Sequence, residues 1–386
     1  MAQKMKIAYC TNVRLPSERA HGHQIAEVAD ALIALGHSVT VFAPFRKNIV
    51  TQSYHDYYGA HEKVQMQHIG SFDPIASPLL PGVLGLFFLN WRLRRFYTTL
   101  RGFDVLYTRA EALLPALIKT GIPTILELHQ TPKRNQAAFV RRCNQCALVA
   151  CLTTEMRKVL RSWGVDETRM IVAGDAVTLE RFNILPSKEE ARSHLKIHTD
   201  RPVIGYIGRL KTLGQNKGVE ELLLATSRLK TIQPIHLLIV GGPETDQHEY
   251  EKMAAALALT PDDVRFTGAL PADQVPTALI ACDILAMPFP DYPHYRTNMS
   301  PLKMFEYMAA SRPIITSDLP TIRDVLSEET AFFCQPGDTA SLTQSIQEVL
   351  ADSTIAEKKA AAARTLVEEH TWEKRMDRIL TSLPTS

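Results

Sequence analysis

Two α/β domains of similar size, each built on a parallel sheet, are what this sequence predicts. Short apolar runs alternate with longer segments of helical period along most of the chain. The alternation pauses once near the middle and then resumes. The 386 residues are also more than one ordinary hydrophobic core accommodates.

In the first series, Lys6–Cys10 is expected to be a strand. A helix follows in which Ile25, Val28, Ala29, Leu32 and Ile33 recur on one face. Gly36 is placed to end that helix in a left-handed conformation. Ser38–Phe42 reads as the next strand, with Asp104–Tyr107, Thr124–Leu128, Ala147–Leu152 and Met170–Ala173 after it. Strand, helix, strand in this rhythm is the pattern of a parallel sheet covered on both faces. From Arg181 to Arg201 the chain is polar and charged, with Pro186 inside it and Pro202 just after, and is expected to be a linker. The second series is Val203–Ile207, His236–Val240, Val264–Phe266, Ile284–Met287, Pro313–Thr316 and Ala331–Cys334. The expected division is residues 1–182 for the first domain and 183–370 for the linker and second domain. No internal repeat or low-complexity tract interrupts this pattern.

Composition narrows the function. Hydrophobic residues make up 45% and charged residues 22%, ordinary for a soluble globular protein. A net charge of +2 provides no bulk basic field, so nucleic acid is not an expected partner. Met1 to Lys6 runs directly into a strand without an apolar signal segment, and the run Val83–Leu89 is too short to span a bilayer. A cytoplasmic protein is therefore expected. Six scattered cysteines suit reduced thiols rather than a disulfide framework. Cys143 and Cys146 form a CxxC, but no second pair completes a four-ligand metal site, so packing is the expected role.

Ligands of parallel sheets bind outside the carboxyl ends of the strands, so residues just after strands carry the candidate chemistry. Gly208-Arg209 follows the first strand of the second series, with Lys217-Gly218 shortly after. Glycines let a ligand approach the backbone, and a guanidinium fork with an ammonium can grip a diphosphate. The bland alternative is a turn with two solvated cations. In Ser300–Ala309, Ser300 is a suitable N-cap and Pro301 a suitable first helical residue. The free N–H groups of such a helix, those of Ser300, Leu302 and their neighbours, could face an anion. Glu306 sits between Phe305 and Tyr307, and a buried carboxylate there needs donors, which ribose hydroxyls would supply. The alternative is a surface glutamate. His129 stands at the carboxyl end of Thr124–Leu128, either beside a ligand or as a structural histidine. Arg19-Ala20-His21-Gly22-His23 is a small turn able to present backbone N–H groups to phosphate or sugar. The absence of GxGxxG weighs against a nucleotide-binding dehydrogenase.

One further segment stands out. Pro81 to Trp91 is apolar and is followed by Arg92, Arg94, Arg95 and Arg101. Such a helix can lie in the headgroup region of an anionic membrane or pack on the sheet with its arginines solvated. Leu84, Phe87, Phe88 and Trp91 form a face that either would cover.

Together these segments resemble glycosyltransferase family 4, retaining enzymes with the GT-B fold. In that fold two Rossmann-like domains face each other across a cleft. The similar segments are the opening strand, turn and helix, Asp104–Arg109, Glu127-Leu128-His129, Asp175–Phe182, Gly208-Arg209 with Lys217-Gly218, Ser300–Ala309 and Thr371-Trp372-Glu373. The resemblance implies an acceptor-side first domain, a donor-side second domain, and a final helix, 371–386, that returns to the first. It implies that Arg209 and Lys217 hold the donor diphosphate and stabilise its developing charge. Gly208, Ser300, Pro301 and Leu302 would line that donor site, and Glu306 would bind the ribose. His129 would sit by the transferred sugar, and Gly22 near the diphosphate or acceptor, with His21, His23 and Arg109 on the acceptor side. The family carries two glutamates eight positions apart. Here Glu306 matches the second, while Asn298 stands in the first position and brings no negative charge. The substrates implied are a nucleotide-diphosphate sugar and a saccharide or lipid-linked acceptor, with peripheral contact at the inner face of an anionic membrane. No Asp-x-Asp motif calls for a divalent metal, so no cofactor is expected beyond the donor. No carboxylate suits the far face of the sugar, which favours a front-face route. The rivals are a sugar-nucleotide epimerase of the same fold and a non-catalytic two-domain ligand-binding protein.

Overall fold

A computed structural model describes residues 4–70, 73–77 and 82–384. The chain divides into two compact units, Met1–Gly174 with Trp372–Ser386, and Asp175–Thr371.

Unit 1 is a seven-stranded sheet in the order β3-β2-β1-β4-β5-β6-β7. Its strands are β1 (Lys6–Cys10), β2 (Ser38–Pro44), β3 (Gln65–Ile69), β4 (Val105–Thr108), β5 (Thr124–Leu128), β6 (Leu148–Cys151) and β7 (Met170–Val172). Every neighbouring pair is parallel. The interior strands β4, β5 and β6 are buried along their whole length, which is why they read as mainly apolar runs, interrupted by Thr108 on β4 and by Thr124 and Glu127 on β5. Strand β3 was not expected. It is an edge strand whose Gln65, Gln67 and His68 are not buried, so it lacks the apolar signature of the others. The helix α1 (Ala20–Ala34) buries Ile25, Val28, Ala29 and Leu32, and Gly36 follows its end at φ +88°.

The helix α2 (Gly82–Tyr97) is held to the sheet by a narrow stripe, Gly85, Leu89, Leu93 and Tyr97, spaced one every four residues. Tyr97 anchors it, its hydroxyl accepting from Thr11 N–H and meeting the carbonyls of Thr11 and Phe42 at 2.9 and 3.0 Å. Pro81, at the start of the apolar segment, lies outside the described residues.

Unit 2 is a six-stranded sheet in the order β12-β11-β8-β13-β14-β15. Its strands are β8 (Val203–Ile207), β11 (His236–Val240), β12 (Val264–Gly268), β13 (Ile284–Met287), β14 (Ile314–Ser317) and β15 (Phe332–Cys334), again all parallel. A small antiparallel hairpin, β9 (Lys211–Thr212) and β10 (Gln215–Asn216), stands apart from the sheet. The order reverses at β8, with β11 on one side and β13 on the other. Open α/β sheets bind ligands at the carboxyl ends of strands flanking such a reversal.

The expected linker is instead part of this unit. Ser187 and Glu190 form a reciprocal capping box that starts the helix α3 (Lys188–His194). Ala191, Leu195 and Ile197 enter the unit's core, and Arg192 and Lys188 both pair with Asp283. The short apolar signal, three residues among many charges, concealed this helix. The boundary between units also falls at Gly174 rather than after Phe182. Asp175 N–H donates to Ser300 Oγ at 2.8 Å, Val177 N–H to the His370 carbonyl at 3.0 Å, and Leu179 and Phe182 pack on the unit 2 core.

The helices that concern the site are α4 (Val219–Leu229) and α5 (Leu302–Ala309). The last helix, α6 (Trp372–Thr381), belongs to unit 1. Its Arg375 is fully buried there and donates to the carbonyls of Ala173 and Gly174 at 3.2 and 2.6 Å.

Candidate functional site

The unit 2 candidates gather at the carboxyl ends of β8 and β13. Gly208 and Arg209 leave β8, and Pro288 and Phe289 leave β13. The Tyr307 hydroxyl locks α5 to this end. It accepts from Ile207 N–H at 2.8 Å and donates to the Ile207 carbonyl at 3.1 Å. Asn216 starts α4, its side-chain oxygen accepting from the N–H groups of Gly218 and Val219 at 3.0 Å each. Gly218 adopts φ +103°, and a Cβ there would overlap the Pro288 carbonyl oxygen. The glycine thus lets the Lys217 turn lie directly on the end of β13.

Arg209 is exposed, and among the described residues no hydrogen bond or ion pair engages its guanidinium. Lys217 is half-buried, with its ammonium 5.9 Å from the centre of the Phe289 ring. Burial, and then the Arg209 charge, bring its pKa down to about 8. Two cations whose charges reach one another are suited to receive an anion. Glu306 is half-buried on α5 rather than buried. Asn298 closes the short Pro293–Thr297 helix and is also half-buried.

Ser300 does not cap α5. Its hydroxyl is used by Asp175 N–H, and Pro301 takes the N-cap position with no side-chain cap, so α5 begins at Leu302. A contact with a distant segment outweighed the local capping preference. The buried ionisable side chain of α5, which sequence reasoning missed, is Lys303 at 6% exposure. A lysine two residues into a helix reads as a surface residue unless the packing around it is known.

In unit 1, Glu127, fully buried on β5, is the centre of a polar network. It accepts from Gln24, Tyr107 and His129, and Arg375 pairs with it at 2.9 Å. Arg109, after β4, donates to Gln24. Burial alone would raise the Glu127 pKa, but Arg375, then His129, hold it well below the usual carboxylate range. His129 is about 22% exposed, and its pKa falls to about 4 because burial and then Arg109 outweigh Glu127. A neutral His129 donates Nε2–H to Glu127, which leaves Nδ1 as an acceptor for a hydroxyl.

His21 lies in the first turn of α1, and burial, then Arg109, bring its pKa to about 4. His23 packs edge-on against Tyr58 at 5.0 Å. Gly22 is not in a turn before the helix but inside its first turn. Its N–H is already bonded to the Arg19 carbonyl at 2.9 Å, and a Cβ there would overlap the Tyr58 hydroxyl. Its small size therefore serves the packing of Tyr58.

Other features lie away from these groups. A cavity of about 770 Å³ in unit 1 is lined by Met5, His37, Asp104, Thr124 and Asp377 among others. It sits at the amino ends of the strands, opposite the end where parallel sheets bind ligands. Cys143 and Cys146 are both fully buried among Phe139, Val149 and Met156, and burial pushes the Cys146 thiol up to about 12.

Residues 22–181 match the family model described as Glycosyltransferase Family 4, and residues 201–352 match that described as Glycosyl transferases group 1. The chain belongs to glycosyltransferase family 4. The 2-deoxystreptamine N-acetyl-D-glucosaminyltransferase of Streptomyces fradiae is 28% identical over 229 residues, covering 58% of this chain and 51% of that protein. The chain thus spans about half the length of that curated relative. Among solved structures, HepE of Anabaena in complex with UDP-glucose has a TM-score of 0.74 at 17% identity, over 98% of this chain and 100% of that one. Sucrose-phosphate synthase from Thermosynechococcus elongatus has a TM-score of 0.74 at 19% identity, over 98% and 99% of the two chains. At these identities the likeness is one of fold, and the fold is GT-B.

Proposed function

We propose that this chain transfers a glycosyl group from a nucleotide-diphosphate sugar to a saccharide or lipid-linked acceptor, with retention of anomeric configuration. The observation that carries this reading is the pair Arg209 and Lys217 at the reversal point of the unit 2 sheet, unpaired with any carboxylate among the described residues. In this reading unit 2 binds the donor. Arg209 and Lys217 grip the diphosphate and stabilise the charge that develops as the bond from the anomeric carbon to the phosphate oxygen breaks. Gly208, Ser300, Pro301 and Leu302 shape the surrounding turn and helix start. Glu306 accepts from the ribose hydroxyls, and Asn298 hydrogen-bonds the sugar. Unit 1 receives the acceptor, with His21, His23 and Arg109 near it and His129 accepting from a hydroxyl of the transferred sugar. The acceptor oxygen bonds to the anomeric carbon on the face the diphosphate leaves, and its proton passes to the departing phosphate. No divalent metal is required.

The exposed face of α2 favours a lipid-linked acceptor, met at the inner face of an anionic membrane by a cytoplasmic protein. Among the described residues no helix is long and apolar enough to cross a membrane. The test is a turnover screen of the purified protein across UDP-, GDP- and ADP-sugars, with and without chelator, and with the product anomer assigned by NMR. Neither donor hydrolysis nor transfer with any of them would sink the reading. An inverted product would overturn retention alone.

A further inference from the structure

Lys303 is a buried amine for which the fold provides no hydrogen-bond acceptor among the described residues. It is 6% exposed, and among the described residues no oxygen hydrogen-bonds its Nζ. The Nζ lies 3.5 Å from the centre of the Tyr206 ring and 5.6 Å from that of Phe289, the ring that Lys217 also approaches. A Cβ placed on Gly208 would stand 2.9 Å from Lys303 Cε and 3.2 Å from its Nζ. The lysine therefore lies against the glycine turn that precedes Arg209.

Aromatic faces recover part of the hydration an ammonium loses on burial. They do not replace a counter-charge, and an uncompensated buried charge is costly. A methionine would fill the same space without that cost. The charged groups that act on Lys303 are Lys217 across the turn and Glu306 on its own helix, while the Tyr206 ring on β8 faces its Nζ and the Tyr206 hydroxyl donates to the Arg209 carbonyl. Burial, and then Lys217, hold its pKa well below the usual lysine range, with Glu306 opposing. Two amines face one ring, and the missing partner is an anion.

We infer that Lys303 is a third cation of the donor diphosphate site, seated beneath the Gly208 turn and given its counter-charge only when a diphosphate binds at Arg209 and Lys217. The inference rests on the donor-site reading above and adds a residue to it. In the unliganded protein, burial and then Lys217 disfavour the protonated form of Lys303. A diphosphate reverses the local field, so binding draws a proton from solvent onto Lys303 Nζ, and onto Lys217 where that group is also partly neutral.

The experiment is calorimetric titration of the intact protein and of Lys303→Met with UDP, GDP and ADP and with the matching monophosphates. It is run at mildly alkaline pH in buffers of different ionisation enthalpy, so that proton uptake is counted directly. The expected result is diphosphate binding weaker by roughly ten- to a hundred-fold in Lys303→Met. Monophosphate binding falls less, proton uptake is smaller, and Tm is equal or higher. Unchanged diphosphate affinity and proton uptake in a folded Lys303→Met would overturn the assignment. If that variant does not fold, Lys303→Gln serves for the same comparison, and loss of fold in both shows the lysine to be structural. An intact protein that binds none of the three diphosphates overturns the donor-site reading itself, a result distinct from any seen only in the variants.

Discussion

Arg209 and Lys217 occupy similar positions but carry different consequences. A guanidinium is a permanent cation, whereas burial and then the Arg209 charge bring the Lys217 pKa down to about 8. Removing either to alanine loses charged hydrogen bonds worth about 1.5–3 kcal/mol, so kcat/KM should fall roughly ten- to a few hundred-fold. Steady-state kinetics equal to the parent's would remove that residue from the site. Because the lysine binds as a cation, nucleoside diphosphate affinity should be full at neutral pH and weaken as the pH rises through about 8. Lys217→Arg should flatten that limb of the profile. Asn298 has the opposite character, an amide where the resemblance implies a carboxylate. Asn298→Glu should change the preference among sugars that share one nucleotide while leaving nucleotide affinity alone. Competition assays showing the parent's sugar preference would place Asn298 outside the sugar pocket.

At the scale of elements, α2 is the least ordinary. Gly85, Leu89, Leu93 and Tyr97 bind it to the sheet, and the rest of its apolar half faces outward. Val83 is 82% exposed, Phe87 63% and Trp91 54%. Adjoining apolar residues of this size mark an interaction surface. The exposed Arg94 and Arg95 continue it, with the Arg95 guanidinium 6.0 Å from the centre of the Trp91 ring. An apolar face bordered by arginines suits the headgroup region of anionic lipid. Co-sedimentation with vesicles of rising anionic content should show binding that weakens with salt. It should also fall when Arg94 and Arg95 become Ser, or when Phe87 and Trp91 do. Absence of binding at low salt would leave a soluble saccharide as the better acceptor.

At the scale of the whole chain, Arg375 secures the return of the last helix to the first unit. Its pairing with Glu127 joins two fully buried charges from segments far apart in the sequence. Such a pair is costly to break because the remaining charge is stranded. Arg375→Met should therefore destabilise unit 1 by about 3–5 kcal/mol, read as a lowered urea midpoint. Little change would mean that Gln24, Tyr107 and His129 suffice for the carboxylate. The pair also sets an acid limit. Glu127 has a depressed pKa in the folded protein, so its contribution is complete above its ordinary value of 4.5 and is lost as the pH falls toward the folded value.

What the sequence determined by itself was the part written in local periodicity and in compact motifs. Buried parallel strands are mostly apolar and helices apolar on one face, so two α/β series were legible, and Gly208-Arg209 and His129 lie just after strands β8 and β5 as expected, with Lys217-Gly218 following the small hairpin strand β10. The tertiary structure decided what depends on residues far apart in the chain. Edge strand β3 and helix α3 have too few buried side chains to leave a periodic trace. Ser300 is a good cap by local chemistry but is taken by Asp175. Gly22 is small because Tyr58 presses on it. The apolar face of α2 was visible in the sequence, but which stripe of it the sheet would cover was not. Glu306 drew attention as the charge inside an apolar helix, yet Lys303 is the residue that is buried. Burial and charge compensation are properties of the surroundings, and those are assembled only when β8, β13 and α5 meet.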